Sequence, residues 1–145
     1  MMTFWNRIRT WPLLATAATA AALAGQALGC SASVSAPPPP PAGAAVMQWS
    51  VEESTDPNAC VTRGASTFHV SLYNGVGGFA GEWVQDCTTF ATTIYGLDPD
   101  DYTGHAELTD SGGQPRTTSV SLKPFTVVGE SSTTVTIDFP ADSFY

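Results

Sequence analysis

From Met47 onward apolar and polar residues alternate with a period of two, and this alternation sets what the chain can fold into. Met47, Trp49 and Val51 interleave with Gln48, Ser50 and Glu52, as do Phe68, Val70 and Leu72 with His69 and Ser71. The pattern returns at Tyr102, Gly104, Ala106 and Leu108, at Val120 and Leu122, and at Val135, Ile137 and Phe139. A period of two puts one set of side chains on each face of a half-buried strand. Turn signals punctuate the runs: Asp56-Pro57-Asn58, Asn74-Gly75, Gly77-Gly78, Asp98-Pro99-Asp100, Ser111-Gly112-Gly113 and Gly129. No window holds a helical period. With 79–86 and 88–95 added, about seven short strands are predicted, which defines an all-β antiparallel sandwich.

The first 29 residues follow a different rule. Arg7 and Arg9 open a mainly apolar stretch from Trp11 to Leu23, which ends in the small residues Ala24, Gly25, Ala27 and Gly29. A charged start, an apolar middle and a small-residue end make a secretory signal, which takes no part in the fold. Its last residues, Ala27-Leu28-Gly29-Cys30, resemble the lipobox of bacterial lipoproteins, with Ala27 where that family usually has Leu. The resemblance implies acylation of Cys30, cleavage on its N-terminal side and attachment to a membrane through the lipid. Cleavage by the ordinary signal peptidase after Ala24 or Ala27, or an uncleaved helix, are the competing readings, although the apolar run is short for a span.

Three cysteines in an exported chain leave one over, and acylation of Cys30 accounts for it. Cys60 and Cys87 then form a pair, worth roughly 3.5 kcal/mol on the chain-entropy account. Two reduced, buried thiols are the alternative. Residues 30–45 carry no charge and include the run 37–41 of five prolines, which reads as an extended tether. The remaining 46–145 are the size of one domain. Ser31 stands where an Asp would resemble the inner-membrane retention signal, which tilts the expected address toward the outer membrane of the cell envelope.

Gly96-Leu97-Asp98-Pro99-Asp100-Asp101-Tyr102-Thr103, followed by Asp110-Ser111-Gly112-Gly113, resembles the L-x-P-G-x-Y corner of prealbumin-like and carboxypeptidase-regulatory-like domains. It is more loosely similar to the tyrosine corner of immunoglobulin-like fibronectin domains. The resemblance implies that Leu97 and Tyr102 pack at the corner, and Asp100 departs from it by replacing the usual Gly. It supports a fold and names no ligand. With its lipobox, the whole chain resembles small lipoproteins of Gram-negative bacteria.

Charge narrows the partners. Only Arg63, Arg116 and Lys123 are basic beyond Cys30, against 13 acidic residues, a net charge of −10. Such a surface repels phosphate, so nucleic-acid binding is not expected, and no polybasic run supports attachment to anionic lipid. His69 and His105 fall on the outward phase of their strands, His105 near Glu107. If those strands are neighbours a metal site is conceivable, but two histidines are too few for zinc, and neither a metal nor a cofactor is expected. The acids 98, 100 and 101 lack the spacing and glycine of an EF-hand. No G-x-S-x-G elbow is present, and paired cysteines leave no thiol for catalysis. Trp49 and Trp83 share a phase with apolar neighbours and read as core; Phe144 and Tyr145 are expected to cover one end of the sandwich.

These readings converge on a non-catalytic, lipid-anchored envelope module with a structural or interaction role toward an envelope protein or glycan. Its candidate binding loops carry Asn74, Asp98, Asp100, Asp101 and Asp110. A small envelope hydrolase using His69, His105 and nearby carboxylates, or a carbohydrate-binding module, which needs exposed coplanar aromatic rings, are the alternatives.

Overall fold

The computed structural model of the chain describes residues 37–145. Eight strands follow in order: β1 (Gly43–Val51), β2 (Thr67–Asn74), β3 (Phe79–Asp86), β4 (Ala91–Leu97), β5 (Asp100–Thr109), β6 (Val120–Ser121), β7 (Phe125–Val127) and β8 (Ser132–Phe139). They form two sheets. One has the order β4-β1-β8; the other has the order β3-β2-β5-β6, with β7 also paired to β5. The architecture is the expected all-β sandwich, with one departure from an antiparallel one. β1 runs antiparallel to β4 but parallel to β8, from Ala44 opposite Ser132 to Val51 opposite Phe139.

The alternation decides which faces meet. Met47, Trp49 and Val51 of β1 and Val135, Ile137 and Phe139 of β8 point inward against Phe68, Val70 and Leu72 of β2 and Tyr102, Ala106 and Leu108 of β5, and all are buried. Each large apolar side chain removed from water contributes about 1.5–3 kcal/mol. The Trp49 indole lies flat on Phe68, with centroids 4.0 Å apart and planes 2° from parallel, so one side chain from each sheet locks the layers together.

Several local expectations need correction. Asp56-Pro57-Asn58 opens a short helix, α1 (Pro57–Thr62), rather than a turn: Asp56 caps it by accepting from the Asn58 N–H at 2.9 Å, and Pro57 sits in its first turn. The expected strand over 88–95 starts only at Ala91, because Cys87–Thr89 is a 3₁₀ turn and Phe90 follows it with φ 54°. β7 was not expected, and β1 begins three residues inside the predicted tether. A bulge between Leu72 and Tyr73 shifts the register of β3, which turns Phe79 to the outside, 63% exposed. Trp83 is half-buried at the edge strand, packed against the core instead of within it. Phe144 covers one end of the sandwich as expected, beneath the Arg63 guanidinium at 4.9 Å, while Tyr145 is exposed.

Candidate functional site

Registry gives the sandwich two ends of different character. At one end β1 starts beside the last residue of β4, Gly43 opposite Leu97; β2 ends at Asn74 opposite Tyr102; and Asp100 at the start of β5 faces Val127. The chain arriving from the proline run lies against the 127–131 loop here: the Glu130 N–H donates to the Ala42 carbonyl at 3.0 Å, and Ala44 N–H to the Ser131 carbonyl at 2.9 Å. A Cβ on Gly129 would stand 2.5 Å from the Pro41 carbonyl oxygen, so only glycine admits the tether at that point. We call this end the tether pole.

Two of the candidate loops converge on it. In the 74–78 loop the Gly77 N–H closes a turn onto the Asn74 carbonyl at 2.8 Å with φ 80°, a conformation glycine supplies without strain. The Asn74 side chain is committed to that turn, accepting from the Gly78 N–H at 2.6 Å. In the 98–101 loop the buried Tyr102 hydroxyl donates back to the Asp98 carbonyl at 2.9 Å, and its ring stacks on Phe125 at 5.8 Å. Leu97 is buried beside this corner. Burial pushes the Tyr102 phenol above its ordinary value, and the carboxylates of Asp98 and Asp100 push the same way. Asp100 accepts from the Asp101 N–H at 2.8 Å, and Asp101 from the Thr126 hydroxyl, whereas the Asp98 carboxylate makes no hydrogen bond among the described residues. The two loops enclose a recess of about 300 Å³ lined by Asn74, Phe79, Gly96, Asp98, Asp100 and Tyr102.

Asp110 does not join them. It follows β5, whose ten residues carry the chain to the opposite end. There its carboxylate accepts from the N–H groups of Gly112 and Gln114 at 2.8 and 2.9 Å and shapes its own turn.

That opposite end is the disulfide pole. Cys60 on α1 and Cys87 are bonded, with Cα atoms 6.1 Å apart, inside the expected range. Asp86 caps the 3₁₀ turn carrying Cys87, accepting from the Thr88 hydroxyl at 2.6 Å and the Thr88 N–H at 2.8 Å, and these bonds hold its carboxyl below the ordinary 3.8. Trp49 Nε1 donates to the Cys87 carbonyl at 2.8 Å, and the Trp49 N–H to that of Phe90 at 3.0 Å. Arg63 pairs with Glu52, which with Glu53 forms a tight turn at φ 53° and 62°. Cys30 lies outside the described residues.

A second recess, of about 330 Å³, lies on the outer face of the five-stranded sheet and brings both histidines together. β2 and β5 are neighbours: His69 faces Glu107 and Ser71 faces His105. His69 Nδ1 is 3.3 Å from Glu82 and its Nε2 is 3.2 Å from the Thr109 hydroxyl, so both ring nitrogens are engaged. His105 packs against the Tyr73 ring at 5.3 Å. Among the described residues, no three His, Cys, Asp or Glu side chains converge closely enough to hold a metal ion. Glu82 escaped the sequence reading, yet a hairpin centred on Val76 puts it opposite Ser71 and diagonal to His69.

No family model matches the chain, and no curated protein matches it. Among solved structures, it is similar to the crystal structure of a leucine-rich repeat protein from Bacteroides thetaiotaomicron, with a TM-score of 0.44 and 16% identity over 71% of this chain. The chain spans 15% of that protein's length. So loose a likeness adds nothing to the fold or the site. No helix among the described residues is long and apolar enough to cross a membrane.

Proposed function

We propose that this chain is a lipid-anchored, non-catalytic module of a bacterial cell envelope, built on a prealbumin-like sandwich and acting through the loops of its tether pole. The observation that carries the binding role is the convergence of the 74–78 and 98–101 loops on one recess at the end where the tether arrives. The anchor rests on the lipobox resemblance at Cys30 and on the disulfide, which leaves Cys30 as the unpaired cysteine. The prealbumin-like class is favoured over the immunoglobulin one by sheet membership. Immunoglobulin sandwiches put the first two strands in one sheet, whereas here β1 and β2 belong to different sheets. The Leu97 and Tyr102 corner is common to both classes and does not separate them.

Cys30→Ser tests the anchor: mass spectrometry of the mature N-terminus should find lipid on the parent chain and none on the variant. An unmodified parent starting at Gly25 or Leu28 refutes it. The hydrolase reading is favoured by one observation, the shared recess of His69, His105, Glu82 and Glu107. Replacing both histidines with Ala separates the two, since a binding module retains its phenotype and a hydrolase loses it. A carbohydrate platform gains no support, because Trp49 is buried and the Tyr73 and Phe79 rings stand 63° apart.

A further inference from the structure

Seven large hydrophobic side chains stand out in solvent among the described residues, and four of them, Val76, Phe79, Tyr95 and Val128, belong to the tether pole. Scattered apolar exposure needs no explanation. Four such side chains around one end of a sandwich, at the point where the chain comes in, do. Val76 is 90% exposed at the tip of its turn, where a β-branched apolar residue has nothing to pack on. Tyr95 is 79% exposed and Val128 59%. Asp98 and Asp100 line one recess with Phe79, and Glu130 lines another with Tyr95. Of the basic side chains among the described residues, Arg116 donates to the Arg63 carbonyl and Arg63 pairs with Glu52 at the disulfide pole, and Lys123 follows Leu122, whose N–H donates to the Gly104 carbonyl four residues along β5 from Asp100.

We propose that the tether pole rests on a lipid surface, its four apolar side chains entering the headgroup region and its carboxylates meeting the primary ammonium groups of ethanolamine headgroups. This names the partner of the proposed binding pole, and it rests on the reading of Cys30 as lipid-bearing. The chain itself argues for the occupant. Twelve residues separate Cys30 from Gly43, a reach of about 40 Å at most, and the end of that stretch, Pro41 and Ala42, lies against this pole. A surface held at that distance meets the pole at an effective concentration of order millimolar, so weak insertion suffices. Tyr and Phe suit an interface that is apolar on one side and wet on the other. The carboxylates choose the lipid: they repel anionic headgroups and accept hydrogen bonds from an ammonium.

The test uses the full chain, its acylation first checked by mass spectrometry, in vesicles of phosphatidylethanolamine and phosphatidylcholine or of phosphatidylglycerol and phosphatidylcholine. Amide hydrogen exchange at 74–79, 94–97 and 127–131 should slow about tenfold in the ethanolamine vesicles alone, with no change at 110–114. The double variant Val76→Asp, Phe79→Ser should keep its melting temperature and its anchor and lose the slowing. An anchored chain whose pole exchanges equally fast in both vesicles overturns the proposal, as does slowing that appears only when a second protein is added. Should Cys30 carry no lipid, the anchor reading fails by itself. The same exchange measured on the unacylated chain at high lipid then decides the pole: slowing on ethanolamine vesicles supports it, and none overturns it.

Discussion

The two poles divide the work of the domain. At the disulfide pole the covalent bond, the stacked Trp49 and Phe68, the capped turn at Asp86 and the Arg63 contacts with Glu52 and Phe144 all converge. At the tether pole short polar loops satisfy their own backbones and leave apolar tips in solvent. Cohesion gathered at one end frees the other from contributing much to stability, which is the usual relation between a rigid scaffold and the loops it carries.

Substitutions can break this contrast. The largest effect is expected from Trp49→Ala, which removes the stack on Phe68 and strands the Cys87 carbonyl; denaturant unfolding should show a loss of about 3–5 kcal/mol. Replacing Cys60 and Cys87 together by Ala should cost about 3.5 kcal/mol by the same assay, and a loss below about 1 kcal/mol would show that noncovalent contacts already hold that pole.

Tyr102→Phe removes one hydroxyl bond at the tether pole and should cost about 1 kcal/mol. It also carries a pH signature. Because the folded phenol ionises later than the unfolded one, its contribution is complete below about pH 10 and is lost as pH rises through the folded value. Urea midpoints of the parent should fall on that alkaline limb, and those of Tyr102→Phe should fall less. The smallest effect is expected from Asp98→Asn, Asp100→Asn and Asp101→Asn combined, within about 0.5 kcal/mol by calorimetry, because none of the three is buried and an Asn oxygen still accepts the bonds from the Asp101 N–H and the Thr126 hydroxyl. A loss like that of the cysteine variant would mean that the tether pole is as cohesive as the other.

Much of this contrast was legible in the sequence, and the remainder has identifiable reasons. Period-two alternation located the main strands, and cysteine arithmetic gave the pair. α1 was hidden because Asp-Pro-Asn is equally the signature of a turn and of a capped helix start. Phe79 turned outward because one bulged residue inverts every side chain beyond it. The separation of Asp110 from the 98–101 loop was readable in principle, since the eight strand residues 102–109 between them carry the chain about 30 Å. The meeting of the 74–78 loop with the 98–101 loop was not, because strand pairing across the sheet leaves no local mark.

The parallel pairing of β1 with β8 also bears on how the domain is made. Gln48 waits for Thr136, 88 positions later in the chain, so the three-stranded sheet cannot close until those two distant segments meet. Closing so long a loop delays folding, as it does wherever distant segments must meet first. The seam between β1 and β8 is therefore the late step in assembling the three-stranded sheet, while the pairing of β2 with β3 joins segments that are near neighbours in the chain.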